Sequence, residues 1–470
     1  MKKSCTSALF AAVLAGCSGY PPACITSISD VAVGKLSVIR AERLTGGLAE
    51  RKEPGGFHLL YGVSALLQVA PDTAALLANR NVYTPWGQVD FEDGADIFVI
   101  RSLDELKTVR PIECTRSGIV KDADYGGADR YHVNYGMGGG FVPLGARVGG
   151  KPHPAAGTGF GLCQITSHPV ATNGTFSWQM PGRVSRCLEV FDLSYDGKRF
   201  AARLEAKFRE NEPLQVGDTG WTFVCGGLGT AIPDGKDLLL PAMARKRDVA
   251  GDVCGLSRWR RTGGKWRPVD FLPVTGGGRG EPSVVRLRTG ALLFAARDDH
   301  KPQPGRPNWN HGNLQDIHAW LSEDNGKTWT ERVKVADVRM CSPIALGRAD
   351  DGSVYFAGNP GYPEPILHER RNRMFLWPLS DRLDAMGRPV TLRDAKTDFT
   401  SGCGSWNMDH PIYSVIRFAD GKVHGFLSYR VRDWWTDPKT GKGIAEPSAD
   451  AGLYIEEITG RGESLPVWEF

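Results

Sequence analysis

Several residues able to carry acid–base or nucleophilic chemistry stand beside apolar segments of the chain. Glu281 precedes Pro282 and an apolar run, and Arg297 closes the next apolar run, ALLFAAR. His410 also precedes a proline, and Tyr413 follows it within the next apolar run. Charged groups at such positions need a partner or a polar channel, because burying an unpaired charge is costly. The pattern predicts ionisable side chains gathered at strand ends around a shared polar hollow.

The elements that would position these residues are short β-strands. From about residue 55 to 460 the sequence alternates apolar runs with Gly, Asp and Asn turns and shows almost no helical period. One unit recurs, made of a strand, a tight turn, a second strand, a loop and a third strand, and its clearest copy spans residues 282–329. Other copies begin near Tyr61, Gly159, Trp221, Ser342 and Pro411. All-β repeats of this size predict an all-β fold, a six-bladed β-propeller, with seven blades as the alternative.

The domain organisation follows from this pattern. Residues 1–17 are expected to be a leader, residues 18–54 a linker, and residues 55–470 the propeller. Within the linker, residues 35–40 (KLSVIR) form a candidate strand that closes the ring by pairing with residues 453–456 (LYIE). Ring closure would also remove the exposed sheet edges that so many strands otherwise create.

Composition excludes several classes of protein. The 470 residues contain 57 Lys and Arg against 53 Asp and Glu, a net charge of +4, which gives no basic footprint for nucleic acid. Hydrophobic residues at 41% and charged residues at 23% are typical of a globular protein. The 58 glycines follow no collagen period, and the run at residues 136–140 (GMGGG) predicts a tight turn rather than a phosphate-binding loop.

The N-terminal segment carries an export signal. Two lysines and a short apolar stretch lead to Leu14-Ala15-Gly16-Cys17, which resembles a bacterial lipobox. This resemblance implies that Cys17 is lipidated, with an ordinary signal peptide cut near Ala23 as the alternative. We therefore expect a protein anchored by lipid in the bacterial cell envelope, at the outer membrane, the cell surface or the periplasm. No CxxC pair occurs, so a zinc cluster is not expected, and the pairing of the other cysteines stays open.

Residues 322–329 carry a recognisable turn motif. Their sequence, SEDNGKTW, matches the Ser-x-Asp-x-Gly-x-Thr-Trp pattern of the Asp-box, and residues 194–200 and 102–108 look like eroded copies. In such a hairpin turn the Ser and Asp cap backbone groups while the Trp packs between strands. The chain thus resembles the sialidase-like, BNR-repeat β-propellers, and the resemblance covers most of residues 60–430.

That resemblance implies roles for three acid–base residues. Tyr413 stands where the family has its nucleophile, Glu281 where it has the base that takes the phenol proton, and Asp90 in the loop that bears its acid. A phenol is a poor nucleophile near neutral pH unless a carboxylate accepts its proton. An acid on the opposite side would then protonate the leaving oxygen.

The same resemblance implies a clamp of arginines for the carboxylate of an acidic sugar. Arg297 and either Arg371 or Arg373 occupy the matching segments. Two departures from the family indicate a changed pocket. The Arg-Ile-Pro motif of the first blade is replaced by residues 61–66 (YGVSAL), and the glutamate that follows the Tyr segment is replaced within residues 426–430 (FLSYR).

Histidines near these segments indicate a second chemistry. Some sialidase-like propellers are lyases acting on uronate glycans such as a rhamnose–glucuronate linkage. The resemblance to them implies this chemistry for His410 beside Asp409 and for the loop from Asp298 to His311. There a His or Tyr abstracts a proton while Arg or Ca²⁺ neutralises the carboxylate. His58, His153 and His300 also fall in the predicted loops.

We therefore expect a sialidase-like exo-glycosidase that cleaves a terminal acidic sugar from an oligosaccharide, polysaccharide or glycoconjugate. It would need no cofactor, apart from a structural Ca²⁺ as an alternative. The uronate lyase and a non-catalytic glycan-binding propeller are the alternative functions.

Overall fold

A computed structural model describes residues 20–21, 23–30, 32–34, 36–44, 52–53, 57–83, 92–107, 112–113, 118–121, 129–169, 185–276, 279–298, 315–340, 344–359, 371–399, 406–433 and 450–470. Within these ranges nearly every regular element is a β-strand, apart from a 3-10 helix at Leu103–Lys107 and the short helix α1 (Ala395–Asp398). No helix in the described residues is long and apolar enough to cross a membrane.

Blades one and two follow the N-terminal strand β1 (Ser37–Leu44). Blade one contains β2 (Lys52–Glu53), β3 (Phe57–Ala70), β4 (Thr73–Tyr83), β5 (Glu92–Ile100) and β6 (Ile112–Glu113). Blade two contains β7 (Gly118–Lys121), β8 (Asp129–Val142), β11 (Thr158–Pro169), β12 (Ser185–Tyr195) and β13 (Phe200–Arg209). Between β8 and β11, β9 (Arg147–Val148) and β10 (Lys151–Pro152) form a separate two-stranded sheet. A pair between β5 and β8 joins the two blades into one continuous sheet.

Blades three to six each form a separate sheet. Blade three contains β14 (Gln215–Val216), β15 (Trp221–Gly226), β16 (Ile232–Asp234), β17 (Asp237–Lys246), β18 (Val253–Thr262) and β19 (Lys265–Pro273). Blade four contains β20 (Arg279–Arg286), β21 (Leu292–Asp298), β22 (Gln315–Ser322) and β23 (Thr330–Met340). Blade five contains β24 (Ala345–Arg348), β25 (Val354–Gly358), β26 (Arg373–Pro378) and β27 (Val390–Asp394). Blade six contains β28 (Trp406–Arg417), β29 (Val423–Asp433), β30 (Gly452–Thr459) and β1.

The ring is closed by the N-terminal strand. β1 pairs antiparallel with β30, from Ser37 opposite Thr459 to Leu44 opposite Leu453. The strand therefore completes blade six, and the fold is a six-bladed β-propeller rather than a seven-bladed one. The register differs from the expectation for residues 35–40, because residues 41–44 pair with residues 453–456.

Apolar clusters at the blade interfaces stabilise the ring. Leu66 and Phe98 of blade one pack in one cluster with Ile416 and Phe426 of blade six, which seals the closing seam. A larger cluster joins blades four, five and six, and another joins blades two and three. Burial of apolar surface at about 25 cal/mol per Å² makes these seams the main source of stability.

The glycine run at residues 136–140 corrects the sequence analysis. It lies within β8, the inner strand of blade two, and does not form a turn. A Cβ atom on Gly139 would lie 2.2 Å from the carbonyl oxygen of Phe160, and one on Gly140 would lie 2.6 Å from the Ala231 Cβ. Glycine is therefore required here because neighbouring strands approach too closely for a side chain. Gly159, expected near the start of a unit, lies on β11.

Residues 322–329 form the capped hairpin turn expected from their motif. Asp324 accepts hydrogen bonds from the Ser322 hydroxyl, from the backbone NH groups of Lys327 and Thr328, and from the Thr328 hydroxyl. Trp329 packs against Phe294 with ring centroids 5.7 Å apart. Burial opposes ionisation of the Asp324 carboxyl, but the hydrogen bonds that it accepts lower its pKa to about 2.

The two eroded copies of this motif differ from each other. Asp196 caps the backbone NH groups of Lys198 and Arg199 in a similar turn. Leu103–Lys107 instead forms a 3-10 helix. The second copy is therefore not a hairpin turn of this type.

Among the described residues, Cys24 and Cys187 are free thiols. Burial raises the pKa of the Cys187 thiol, which disfavours the reactive thiolate. Cys17 and the expected leader lie outside the described residues.

Replacing Asp324 with Asn should destabilise the protein, because Asn lacks the charge that strengthens these hydrogen bonds. We expect a loss of ~1–2 kcal/mol near neutral pH, measured by denaturant unfolding. The stability that this carboxylate contributes is present above its unfolded pKa of 3.8 and is lost as pH falls through about 2, so the difference should vanish in strong acid. Asp196→Asn, which removes a carboxylate with fewer bonds, should cost less. Equal losses of stability in the two variants would show that the additional hydrogen bonds of Asp324 do not stabilise its turn.

Candidate functional site

Two residues with strained backbone define the site. Glu281 and His410 have φ angles of 49° and 52°, and each precedes a proline, a position where L-residues normally adopt extended backbone. Both lie at bulges in the inner strands of their blades, where the pairing of β20 with β21 and of β28 with β29 shifts register. A bulge of this kind re-aims a side chain, and such strain persists only where surrounding structure maintains it.

The Glu281 carboxylate lies between two basic side chains, Arg297 and His410. Arg297 Nη1 donates to Glu281 Oε2 at 2.8 Å, and His410 Nε2 lies 3.6 Å from Glu281 Oε1. The Glu281 side chain is 33% exposed and therefore accessible to a ligand. Burial opposes ionisation of this carboxyl, but Arg297 and His410 outweigh it and lower the pKa of Glu281 to about 2. Glu281 is thus an ionised carboxylate throughout the mildly acidic and neutral range.

A second, fully buried carboxylate lies behind His410. Asp409 accepts two hydrogen bonds from Arg430, from Nε at 2.7 Å and Nη2 at 2.9 Å, and one from Arg371 Nη1 at 2.9 Å. The His410 Nδ1 atom lies 3.1 Å from Asp409 Oδ1. Burial alone would lower the pKa of His410, but Asp409 and Glu281 outweigh it and raise that pKa above the ordinary 6.5. The imidazole therefore joins two carboxylates from different blades and favours its protonated form.

Arg430 is a site residue that the sequence analysis did not assign. It lies opposite Asp409 in the β28–β29 pair, as Arg297 lies opposite Gly280 in the β20–β21 pair. Arg80 occupies the matching register position in blade one, opposite Tyr61. An arginine near the end of the apolar second strand, one hairpin after a proline-marked bulge, was the signal that could have identified Arg430.

Tyr413 does not lie where its expected role requires. Its side chain is only 5% exposed, and its hydroxyl donates to the Val284 backbone carbonyl at 3.1 Å. Burial raises its pKa to about 12, and the charges acting on the phenol are those of Arg348 and Arg286. The structure therefore does not form the expected pair between Tyr413 and Glu281, because the bulge directs Glu281 to Arg297 and His410.

The remaining expected site residues are distributed as follows. Arg371 joins the cluster through Asp409, whereas Arg373 pairs with Asp394 of its own blade at 2.7 Å. Asp298 ends β21 opposite Arg279. Asp90 and His311 lie outside the described residues.

His153 belongs to the opposite side of the molecule. Its Nε2 lies 3.1 Å from the Gly235 carbonyl in the hairpin that joins β16 and β17, and burial lowers its pKa. The contact of His153 with Gly235 is therefore a structural one, and it does not involve Glu281 or His410. In the described residues, no group of three or more His, Cys, Asp or Glu side chains could hold a metal ion, and the structural Ca²⁺ stays a prediction.

The fold is a six-bladed β-propeller of the sialidase type. The Trypanosoma rangeli sialidase has a similar structure, with 13% identity, a TM-score of 0.50 and coverage of 90% of this chain, which spans only 59% of that chain. A protein of unknown function from Dyadobacter fermentans has 13% identity, a TM-score of 0.50 and coverage of 91% and 99% of the two chains. A Penicillium chrysogenum α-L-arabinanase has 12% identity and a TM-score of 0.44, with coverage of 90% and 98%.

Sequence comparison adds no family to this structural likeness. No protein-family model matches the chain, and no curated protein matches it. At such low identity the solved structures establish the fold alone.

Replacing Asp409 with Asn should strongly destabilise the protein, because Arg430 would then be a buried cation without its counter-charge. We expect a loss of about 3–5 kcal/mol in the free energy of unfolding, measured by denaturant titration. Asp252→Asn is the control, since Asp252 pairs with the exposed Arg245 and should contribute only ~0–1 kcal/mol. A small loss for both variants would show that Asp409 does not hold the cluster together.

Proposed function

We propose that this chain is a glycoside hydrolase that cleaves a terminal acidic sugar at the mouth of its channel, with Glu281 and His410 as catalytic residues. The observation that carries this proposal is their convergence from blades four and six. An ionised, partly exposed carboxylate lies 3.6 Å from an imidazole whose pKa is raised. Two neighbouring groups of which one has a lowered pKa and the other a raised pKa are suited to acid–base catalysis.

The two residues have complementary roles in this proposal. The ionised Glu281 stabilises the positive charge that develops at the anomeric carbon, and protonated His410 donates its proton to the leaving oxygen. The glycosidic C–O bond breaks, water supplies hydroxide to the anomeric carbon, and the remaining water proton restores His410. The net change is therefore the addition of one water molecule across the bond.

The surrounding charges support this arrangement. Asp409 is a positioning residue that fixes the ring of His410 and stabilises its cation, as a carboxylate does behind a catalytic histidine. Arg297 and Arg371 hold the two carboxylates in place. Guanidinium groups at the mouth also favour an anionic substrate, which is the reason for proposing an acidic sugar.

Two further points support the proposal without defining the substrate. The similar Trypanosoma rangeli structure is a sialidase in complex with difluorosialic acid, described as a covalent intermediate. The lipobox-like sequence ending at Cys17 would place the enzyme in the bacterial cell envelope, where it would meet extracellular glycans.

A lyase on the same site is favoured less by the geometry. Proton abstraction next to a uronate carboxylate requires neutral His410, whereas Asp409 and Glu281 stabilise its protonated form. The two reactions are distinguished by their products. A hydrolase releases an acidic sugar with a new reducing end, and a lyase forms an unsaturated product that absorbs ultraviolet light.

Glu281→Gln and His410→Gln should each reduce hydrolysis by roughly 10²–10⁴-fold, because each removes one half of the acid–base pair. Aryl glycosides of sialic, glucuronic and galacturonic acid are suitable substrates, with release of the aryl group as the measurement. Glu331→Gln is a matched control, since Glu331 contacts His318 in blade four rather than the channel mouth. Full activity of the Glu281→Gln variant, or an ultraviolet-absorbing product from the wild type on uronate polysaccharides, would contradict the proposal.

The pH dependence of hydrolysis should have an alkaline limb set by His410. Glu281, with a pKa of about 2, stays ionised in mild acid, so the rate should not fall there. The rate should fall as pH rises through the pKa of His410, which lies above 6.5, because the proton donor is then lost. The His410→Gln variant should retain only a low rate without this limb. An unchanged alkaline limb in that variant would assign the proton to another group.

A further inference from the structure

A cavity separate from the site at Glu281 and His410 lies between blades two and three. Its volume is about 510 Å³, within the range typical of small-ligand sites. The side chains that line it are both polar and apolar. Those that bear on its chemistry are Gln164, Phe208, Arg209, Glu210, Thr222 and Arg245. We call this cavity the interblade groove.

The interblade groove opens on the same face of the propeller as Glu281. Antiparallel strands that follow one another reverse direction, so the start of the first and third strands of a blade and the end of the second and fourth share one face. Glu281 lies near the start of β20 and Arg297 near the end of β21. Likewise Thr222 lies near the start of β15, Arg245 near the end of β17, and Arg209 at the end of β13.

A short stretch of backbone connects the interblade groove to the site. The Leu228 NH donates to the Pro282 carbonyl at 2.7 Å, next to Glu281 in the chain. Gly227 packs so closely against Pro282 that a Cβ atom would lie 2.1 Å from the Pro282 oxygen. Val224, which lines the groove, precedes Gly227 by three residues, a span of roughly 10 Å in extended chain. The lining of the groove and Pro282 are therefore joined by only a few residues of backbone.

The lining carries two arginines against one glutamate, Glu210, so its charge favours an acidic sugar. The Phe208 ring is partly exposed and offers an apolar face for the CH groups of a sugar ring. Gln164 and Thr222 carry the amide and hydroxyl groups that bond sugar hydroxyls. Arg209 and Arg245 present exposed side chains at the rim, and Arg245 Nε is held by Asp252 at 2.7 Å. Guanidinium groups fixed in this way recognise carboxylate or sulfate substituents.

We propose that the interblade groove binds the sugar units that follow the cleaved residue, so that the substrate is an acidic oligosaccharide or polysaccharide rather than a single capped sugar. This inference rests on the proposed function for the nature of the ligand. The binding itself does not require turnover and is measured separately.

The test compares Arg209→Ala and Arg245→Ala, alone and combined, with Arg203→Ala as the control. Arg203 lies on the same strand as Arg209, is 80% exposed, and does not line the groove. Binding of galacturonate and hyaluronan tetrasaccharides and of sialyllactose is measured by calorimetry, beside the corresponding single sugars. For the best-bound tetrasaccharide or for sialyllactose, we expect at least ~10-fold weaker binding by the double variant and unchanged binding by Arg203→Ala. Binding of the single sugar should not change.

Activity on aryl glycosides distinguishes the two proposals. Weaker oligosaccharide binding with normal aryl glycoside turnover supports the groove and the hydrolase together. The wild type could also turn over none of these substrates while the double variant binds oligosaccharide more weakly. That result supports the groove proposal and contradicts the hydrolase proposal. Oligosaccharide binding equal to wild type in the double variant, or no binding of any probe by the wild type, overturns the groove proposal.

Discussion

The buried carboxylate of Asp409 is the interaction on which the site depends. A charge with no exposure to water must be compensated within the protein, and Arg430 and Arg371 supply three hydrogen bonds to it. Arg430 belongs to the same blade, whereas Arg371 precedes the third strand of blade five. Asp409 therefore ties two blades together at the channel mouth. The same carboxylate lies 3.1 Å from His410 Nδ1, so the requirement for charge compensation also positions the imidazole ring.

Backbone strain and electrostatics reinforce each other at Glu281 and His410. Each residue adopts a positive φ angle before a proline, which is unfavourable by itself. The bulges direct the two side chains towards one another, and the attraction between an ionised carboxylate and a protonated imidazole offsets part of that strain. This arrangement requires a closed ring, because the two residues come from blades four and six.

Much of the fold could be predicted from the sequence, because strand periodicity and the Asp324 turn are local patterns. The partner of the closing strand β1 could be predicted, but its register could not, because the register depends on packing along the whole edge of blade six. The glycine run in β8 was misread, since its reason is the close approach of Phe160 and Ala231 from distant parts of the chain. The site was predictable in part. Glu281, Arg297 and His410 were marked by neighbouring prolines and apolar runs, and Arg430 by its place near the end of a second strand. The position of Tyr413, in contrast, depends on bulges that no local pattern encodes.

The position of Tyr413 is consistent with the proposed role of Glu281 and His410. Its hydroxyl bonds to the Val284 carbonyl, so the phenol links the inner strands of blades six and four below the mouth. A tyrosine engaged in this way stabilises the ring. Burial raises its pKa to about 12, and the charges that act on it within the described residues are those of Arg348 and Arg286. The polar groups of the mouth lie at the two proline-marked bulges instead, three residues nearer the N-terminus along each strand. Under the proposed function, the bulges therefore place the reacting side chains along the inner strands without a change in the blades.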